Sequence, residues 1–190
     1  MKIANFAILL LPTVTVAESI APYPISTRIQ DIISAVGPSW NTAGSYKAVL
    51  VREGEYAALY IFRGPYDQAP LLYAPEITLT GAYWGTVPWL EFDEGGTLLL
   101  HSENRAFGRN KWETTLSIDE RNGRFMVSSF NLNSYDSLNP DTYTDCSIDM
   151  NAQRLSINGH KIEPFPFPLE VTVQEWNGSF EGACYSHIQP

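Results

Sequence analysis

Carboxylates that could carry acid–base or calcium chemistry crowd one stretch of the chain; they belong to Asp136, Asp141, Asp145 and Asp149. Gathered carboxylates can hold Ca²⁺ or serve as the general acid and base of a hydrolase. Asn139 and Pro140 lie among them, and Asn, Asp and Pro are equally the residues that a turn requires. Because the intervals match no known order of calcium ligands, we favour a turn and predict no metal site there.

Other catalytic signatures are weaker. The histidines, His101, His160 and His187, lack a second His or Glu at the spacing of a helical metal site, and we expect each to be structural. Residues 178–182 displace the serine of a G-x-S-x-G motif by one place, which disfavours a serine hydrolase. The sequence therefore predicts no catalytic residue, no metal and no cofactor.

Aromatic residues are the clearest excess of the composition, at 13% of the chain. They crowd at Tyr83, Trp84 and Trp89, where they could form a stacking platform for sugars or a groove for a partner. Such large side chains more often pack in a core or pair between strands. The three residues are thus candidate binding residues against a default of core packing.

Positive charge concentrates at Arg105, Arg109 and Lys111, in an otherwise acidic chain. A cationic loop of this kind could receive an anion or an acidic partner, and Arg105 and Arg109 are candidate binding residues on that ground. The alternative, which we prefer, is a solvated hairpin tip where Glu103 and Glu113 neutralise the arginines.

The two cysteines, Cys146 and Cys184, allow one intramolecular pairing. Neither has a second Cys or a His at ligand spacing, so a metal site is disfavoured. An even count in an exported protein is typical of a disulfide, although two buried thiols remain the alternative. We predict that the bridge ties the C-terminal tail to the sheet.

The N-terminal residues have the order of a secretory signal peptide. Lys2 precedes a short apolar run that ends at Pro12, and small residues follow up to Ala17. The run is too short to span a membrane. We predict cleavage before Glu18, with cleavage after Ser19 as the alternative. Residues 1–17 then form the signal, and residues 18–190 form a single β-rich domain that is periplasmic or secreted.

Net charge limits the partners that this domain can have. The chain carries 12 Lys and Arg against 21 Asp and Glu, for a net charge of −9. That sign repels phosphate backbones, so nucleic-acid binding is disfavoured, as is docking on anionic lipid. We expect no stable membrane insertion after cleavage, and an unknown protein or carbohydrate ligand as the partner.

One segment has helical periodicity. Apolar residues recur at Ile29, Ile32, Ile33 and Val36, and the chain then continues into Gly37 and Pro38. This spacing predicts a short N-terminal amphipathic helix.

After Gly37, short β-branched and aromatic runs alternate with turn residues, as is typical of antiparallel sheets. We predict hairpins between residues 46–51 and 56–62, and between residues 114–118 and 124–130. The second is joined at Asn122-Gly123, a pair suited to tight hairpin turns. Further strands are expected at residues 146–150, 153–157 and 169–176. The fold class is mainly β, a sandwich, barrel or propeller-blade-like arrangement.

Two stretches resemble known groups of proteins. Residues 37–51, followed by residues 58–60, resemble a degenerate FG-GAP or VCBS-type blade motif, in which an Asn/Asp-Gly loop precedes a strand. Residues 104–118 with Gly123-Arg124-Phe125 and the stretch 136–146 resemble uncharacterised secreted bacterial proteins. The second resemblance implies fold and export but no activity. The blade motif lacks its Asp-x-Asp-x-Asp-Gly ligands here, so we expect no calcium at residues 40–44.

Together these patterns favour a non-enzymatic binding or interaction module. The alternative is an exported hydrolase that uses carboxylates of residues 136–149.

Overall fold

Strands make up most of the structure, a computed structural model that describes residues 29–37, 46–64, 69–81, 85–104, 108–176 and 182–184. The strands are β1 (Ile32–Val36), β2 (Tyr46–Glu53), β3 (Tyr56–Arg63), β4 (Leu72–Leu79), β5 (Trp89–Phe92), β6 (Leu98–Asn104), β7 (Asn110–Arg121), β8 (Arg124–Asp136), β9 (Asn139–Asp149), β10 (Arg154–Ile157) and β11 (His160–Ile162). A 3-10 turn at Ile29–Asp31 precedes β1. The predicted mainly β fold is confirmed.

The strands form two antiparallel sheets in chain order. One has four strands, β1-β2-β3-β4, and the other has seven, β11-β10-β9-β8-β7-β6-β5. Short connections between successive strands produce this order, because antiparallel neighbours can be joined by tight turns. The edge strands of the two sheets meet where the Ser34 hydroxyl of β1 accepts a hydrogen bond from the backbone N–H of Leu90 in β5, at 3.1 Å.

One apolar core contains side chains from both sheets. Along β2, Ala48 and Leu50 belong to this core, whereas Val49 and Val51 lie on the opposite face. Phe130 of β8 is one of the largest fully buried side chains of the seven-stranded sheet. Successive side chains of a strand point to opposite faces, so alternate residues of both sheets share one buried layer.

The predicted N-terminal helix is wrong. Within residues 29–36, the helical part is limited to Ile29–Asp31, and Ile32–Val36 is a strand that pairs with β2. The register shifts between Ile32 and Ser34, and the additional residue of this bulge places both Ile33 and Val36 against the core. A bulged strand thus reproduces the three-residue spacing of a helix. An isolated helix of about ten residues is only marginally stable in water, whereas the strand is stabilised by its pairing with β2.

Two hairpins lie where turn chemistry predicted them. β2 pairs with β3 from Tyr46↔Arg63 to Glu53↔Tyr56, and β7 pairs with β8 up to Arg121↔Arg124. Asn122 and Gly123 have φ angles of 54° and 79°. These positive angles are what a tight hairpin turn demands of its two central residues.

Residues 169–176 are held by an isolated bridge and by side-chain packing rather than by a full strand. The strand predicted at residues 169–176 is wrong, because only an isolated bridge, Met126↔Thr172, precedes a turn. That turn lets Val173 and Trp176 pack into the core, where the Trp176 ring lies 5.3 Å from Phe130. Two backbone hydrogen bonds to β8, from Val127 N–H to the Val171 carbonyl and from Val173 N–H to the Phe125 carbonyl, act together with this side-chain packing.

The predicted disulfide is present in the structure. Cys146 of β9 and Cys184 are bonded, with their Cα atoms 5.7 Å apart, and both are fully buried. The bridge fixes residues 182–184 against the seven-stranded sheet. The predicted signal peptide, residues 1–17, lies outside the described residues. Within the part of the chain that the structure describes, no helix has the length and apolarity needed to cross a membrane.

Candidate binding face on the seven-stranded sheet

The outer face of the seven-stranded sheet is polar, because β8 alternates between inward and outward residues from Ser129 onward and β9 does so from Tyr143 onward. In β8 the inward residues Phe130 and Leu132 are buried, whereas Asn131, Asn133 and Tyr135 point outward. In β9, Cys146 and Ile148 are buried, and the outward residues are Tyr143, Asp145, Ser147 and Asp149. One face of each strand therefore builds the core, and the other presents polar and aromatic groups.

Cross-strand register arranges these outward residues in two neighbouring rows. The first row runs across β6 to β9 and contains Glu103, Glu113, Asn133 and Asp145. The second row contains Lys111, Tyr135 and Tyr143. Directly opposed residues have Cβ atoms about 5 Å apart, and the two rows are about 7 Å apart along the strands. The rows thus bring three carboxylates, an amide, an ammonium group and two phenols into one small area.

A cleft of about 270 Å³, open to solvent, lies over part of this area. Its walls include Glu103, Glu113, Lys111, Asn133 and Tyr135. The two glutamates are register partners, so their carboxylates start from adjacent positions on β6 and β7. Hydrogen-bond acceptors, a cationic donor and an aromatic ring therefore converge on the same cleft.

The two tyrosines are the exposed large side chains of this face. Tyr135 is 48% exposed and its cross-strand partner Tyr143 is 54% exposed. Both project from long paired strands, so the backbone beneath them is fixed by the sheet. Large exposed aromatic side chains that are held on a rigid sheet are suited to contact a ligand.

An ion pair closes the end of the face. Arg109 Nε and Nη2 lie 2.5 Å from Asp136 Oδ1 and Oδ2, a bidentate geometry between the start of β7 and the end of β8. The Arg109 hydrogen bond holds the pKa of the Asp136 carboxyl below its usual range, helped by the backbone N–H groups of Leu138 and Asn139. Arg109 is thus neutralised by Asp136, and not by Glu103 or Glu113 as the sequence suggested.

A second aromatic group lies near the opposite edge of the same face. The Trp89 ring stacks on His101, with centroids 4.8 Å apart and planes 12° from parallel. His101 is held further by Thr115 Oγ1, 3.0 Å from Nδ1, and by Glu91 Oε1, 3.2 Å from Nε2. His101 is therefore a strand residue with a partner on each ring nitrogen. This agrees with the expectation that this histidine has a structural role.

The candidate binding residues predicted from sequence are only partly described. Tyr83, Trp84 and Arg105 lie outside the described residues. Trp89 and Arg109 are described: Trp89 begins β5, and Arg109 directly precedes β7. The sequence did not single out Tyr135 and Tyr143, because residues 136–145 read as a loop. The alternation of Asn131, Asn133 and Tyr135 with buried apolar residues was the signal that could have found them.

The carboxylates of residues 136–149 do not gather at one point. Asp136 is engaged by Arg109, and Asp149 accepts the backbone N–H of Ala152 and lies 3.4 Å from Arg154. Asp145 and Asp149 are four residues apart on one strand, or about 13 Å. Among the described residues, no group of three or more His, Cys, Asp or Glu side chains is placed to hold a metal ion.

Comparison with known proteins gives no relative. No protein-family model matches the chain, and neither the curated proteins nor the solved structures give a match.

Proposed function

We propose that this chain is a binding module whose outer face, built on β6 to β9, takes a carbohydrate. The observation that carries the proposal is the pair of exposed tyrosines, Tyr135 and Tyr143, beside the cleft of Glu103, Glu113 and Asn133. An exposed aromatic pair next to clustered polar groups is the combination that a sugar requires.

Each group has a role in such binding. The apolar C–H face of a sugar ring packs on an aromatic ring, which supplies contact area at a small cost in side-chain entropy. Carboxylates accept hydrogen bonds from sugar hydroxyls, whereas the Asn133 amide and the Lys111 ammonium can donate to ring and hydroxyl oxygens. Because Lys111 stands among acidic residues, the face has both donors and acceptors in reach of one ligand.

The sheet itself favours a preformed site. Glu113 and Asn133 are register partners on the longest paired strands, β7 and β8, which fixes their spacing before a ligand arrives. Groups that are already held in place lose less conformational entropy on binding. The disulfide and the predicted signal peptide suit a site that works in an oxidising compartment outside the cytoplasm.

The proposal is tested on the mature protein, residues 18–190, with a panel of immobilised glycans. We expect selective retention of at least one glycan class. Retention should be lost in a Tyr135→Ala/Tyr143→Ala double variant and kept in Tyr56→Ala, which removes a tyrosine that is 38% exposed on the other sheet. No retention by any glycan, or equal retention by both variants, would contradict the proposal.

The same samples separate a binding module from a hydrolase. Bound glycans are followed for cleavage, together with a panel of glycosides, esters and peptides. We expect no turnover. Cleavage that is abolished by Glu113→Gln but kept in Glu170→Gln, which alters a glutamate remote from the cleft, would place the face in an enzyme instead. Cleavage that is abolished by Asp141→Asn would support the alternative of a hydrolase that uses the carboxylates of residues 136–149.

A further inference from the structure

The turn between β10 and β11 contains an asparagine, Asn158, whose side chain is bonded to the neighbouring strand β9. The turn joins the register partners Ile157 and His160, so its central residues are Asn158 and Gly159. Their φ angles are 49° and 78°, the left-handed pair that a two-residue hairpin requires. Asn adopts this conformation more readily than most residues. The bonds of its side chain to β9 go beyond what the turn itself requires.

The side-chain amide of Asn158 bonds two backbone groups of β9. Its Oδ1 accepts a hydrogen bond from the Asp145 N–H at 2.7 Å, and its Nδ2 donates to the Tyr143 carbonyl oxygen at 3.3 Å. The backbone N–H of Asn158 adds a third bond, to the Asp145 carbonyl oxygen at 2.7 Å. One asparagine thus bonds three backbone groups of two β9 residues.

These bonds continue the sheet where β10 ends. Among the described residues, β10 is the strand that pairs with this edge of β9, and its register stops at Ile157↔Cys146. In an antiparallel sheet, the N–H and carbonyl groups of successive residues point to opposite neighbours. The groups of Tyr143 and Asp145 that bond Asn158 therefore point away from β8. The side chain of Asn158 takes the place of the strand backbone that would otherwise bond them.

The two residues held in this way are the β9 members of the candidate binding face. Tyr143 and Asp145 point outward beside their register partners in β8, Tyr135 and Asn133. β8 holds this part of β9 along one edge, and Asn158 holds it along the other. Backbone that is bonded on both sides opens less readily than backbone with one side open to solvent.

We propose that Asn158 is a positioning residue of the binding face and acts on the ligand through Tyr143. This inference rests on the proposed carbohydrate function. By holding the second edge of β9, Asn158 keeps the Tyr143 ring in place beside Tyr135 before a glycan arrives. A ring that is already ordered loses less conformational entropy on binding. Removal of the Asn158 side chain leaves the Tyr143 ring present but less ordered, so affinity falls.

A double-mutant cycle measures this dependence. Asn158→Ala should weaken glycan binding by about threefold in the unaltered protein and in Tyr135→Ala. In Tyr143→Ala, the same substitution should change affinity very little, because the ring that it positions is absent. An equal loss in all three backgrounds would contradict the proposal, since a general loss of stability acts on every background alike.

The other described Asn-Gly turn supplies the matched control. Asn122 and Gly123 have φ angles of 54° and 79°, and they lie at the end of β8 remote from Tyr135. Asn122→Ala places alanine in the same left-handed conformation without altering the edge of β9. It should leave glycan affinity unchanged. A loss as large as that in Asn158→Ala would assign the effect to strain in the turn and overturn the proposal.

A more conservative variant isolates one bond. Asn158→Asp keeps an acceptor for the Asp145 N–H and a residue that tolerates the turn, but it replaces the donor to the Tyr143 carbonyl. It should also weaken glycan binding, whereas Asn122→Asp, which adds the same charge, should not. This pair decides if Asn158→Ala does not fold, and equal affinities in the two variants would contradict the proposal.

Hydrogen exchange separates this proposal from the carbohydrate function, because it needs no ligand. In Asn158→Asp or Asn158→Ala, the backbone amides at the 143–145 edge of β9 should exchange faster and the Tyr143 ring signals should shift. Neither change should occur in the matching Asn122 variant. Unchanged exchange and unchanged Tyr143 signals would overturn the positioning role even if the protein binds glycans. If the unaltered protein binds no glycan, the carbohydrate function fails, and the exchange data still decide whether Asn158 holds Tyr143.

Discussion

Tyr135 and Tyr143 lie opposite each other on β8 and β9, both exposed on the outer face of the seven-stranded sheet. Two residues further along each strand, Asn133 and Asp145 form the next register pair on the same face. Antiparallel pairing therefore couples an aromatic pair to a polar pair with fixed spacing. The functional proposal depends on this coupling.

Each tyrosine should contribute separately to glycan affinity. Tyr135→Ala and Tyr143→Ala should each weaken glycan binding by roughly tenfold, or about 1.4 kcal/mol of binding free energy. The reason is that each substitution removes the contact area between the ring and the sugar. Isothermal titration measures the two losses. Tyr135→Phe should stay close to the unaltered protein if the ring rather than the hydroxyl makes the contact. A loss in Tyr135→Phe equal to that in Tyr135→Ala would assign the contribution to the hydroxyl.

The disulfide should account for a large share of the stability. Replacing Cys146 and Cys184 by alanine removes a bridge with a sequence separation of 38 residues, for which chain-entropy arguments give about 4 kcal/mol. Urea unfolding of the variant and the unaltered protein measures the difference. Two alkylatable thiols in the unreduced, denatured protein would show that the bridge does not form.

The Arg109–Asp136 pair should make part of the stability depend on pH. Because its pKa is lowered in the folded state, Asp136 contributes stability above the ordinary aspartate pKa, and that contribution is lost as the pH falls through the lower folded value. An NMR titration should find the Asp136 midpoint below that of an ordinary aspartate. Arg109→Gln should raise this midpoint, whereas Arg124→Gln, at an arginine 3.7 Å from Glu170, should leave it unchanged.

Gly37 should not tolerate a side chain. Its φ angle is +132°, and an added Cβ would lie 2.7 Å from the Tyr46 carbonyl oxygen and 2.9 Å from the Lys47 Cα. Both neighbours are backbone atoms of β2, which cannot rotate away. Gly37→Ala should therefore lower the free energy of unfolding by about 2 kcal/mol or more. Gly182→Ala, whose Cβ would meet nothing within 4 Å, is the matched control and should be nearly neutral.

The predicted signal peptide has a direct test. N-terminal sequencing of the protein recovered from the periplasm or the medium should find Glu18 as the first residue, or Ile20 if the alternative cleavage site is used. Recovery of a chain that still begins at Met1 would contradict the prediction.

The sequence predicted turns from local residue preferences, but it did not predict which elements pack against the core as strands and which as helices. Asn122-Gly123 specifies a hairpin through its own backbone preferences, so β7 and β8 could be placed without the rest of the fold. Ile33 and Val36 owe their common face to a bulge, which depends on pairing with β2 and has the spacing of a helix. The spacing of apolar residues alone therefore does not distinguish a bulged strand from a helix.

The candidate site was missed for a related reason. Asp136 and Asn139 have turn preferences, which concealed that β8 and β9 form one long hairpin with Tyr135 and Tyr143 near its end. The buried disulfide, however, was predictable from the sequence. Cys146 and Cys184 could be matched because two cysteines leave one intramolecular pairing.

The central claim is that the outer face of β6 to β9 binds carbohydrate, and a chemical-shift titration of the mature protein tests it most directly. On addition of a retained glycan, the largest shifts should belong to Lys111, Glu113, Asn133, Tyr135 and Tyr143. The shifts of Val49, Val51 and Tyr60 on the four-stranded sheet should stay unchanged. Saturable shifts confined to any other surface, with these five residues unmoved, would contradict the account.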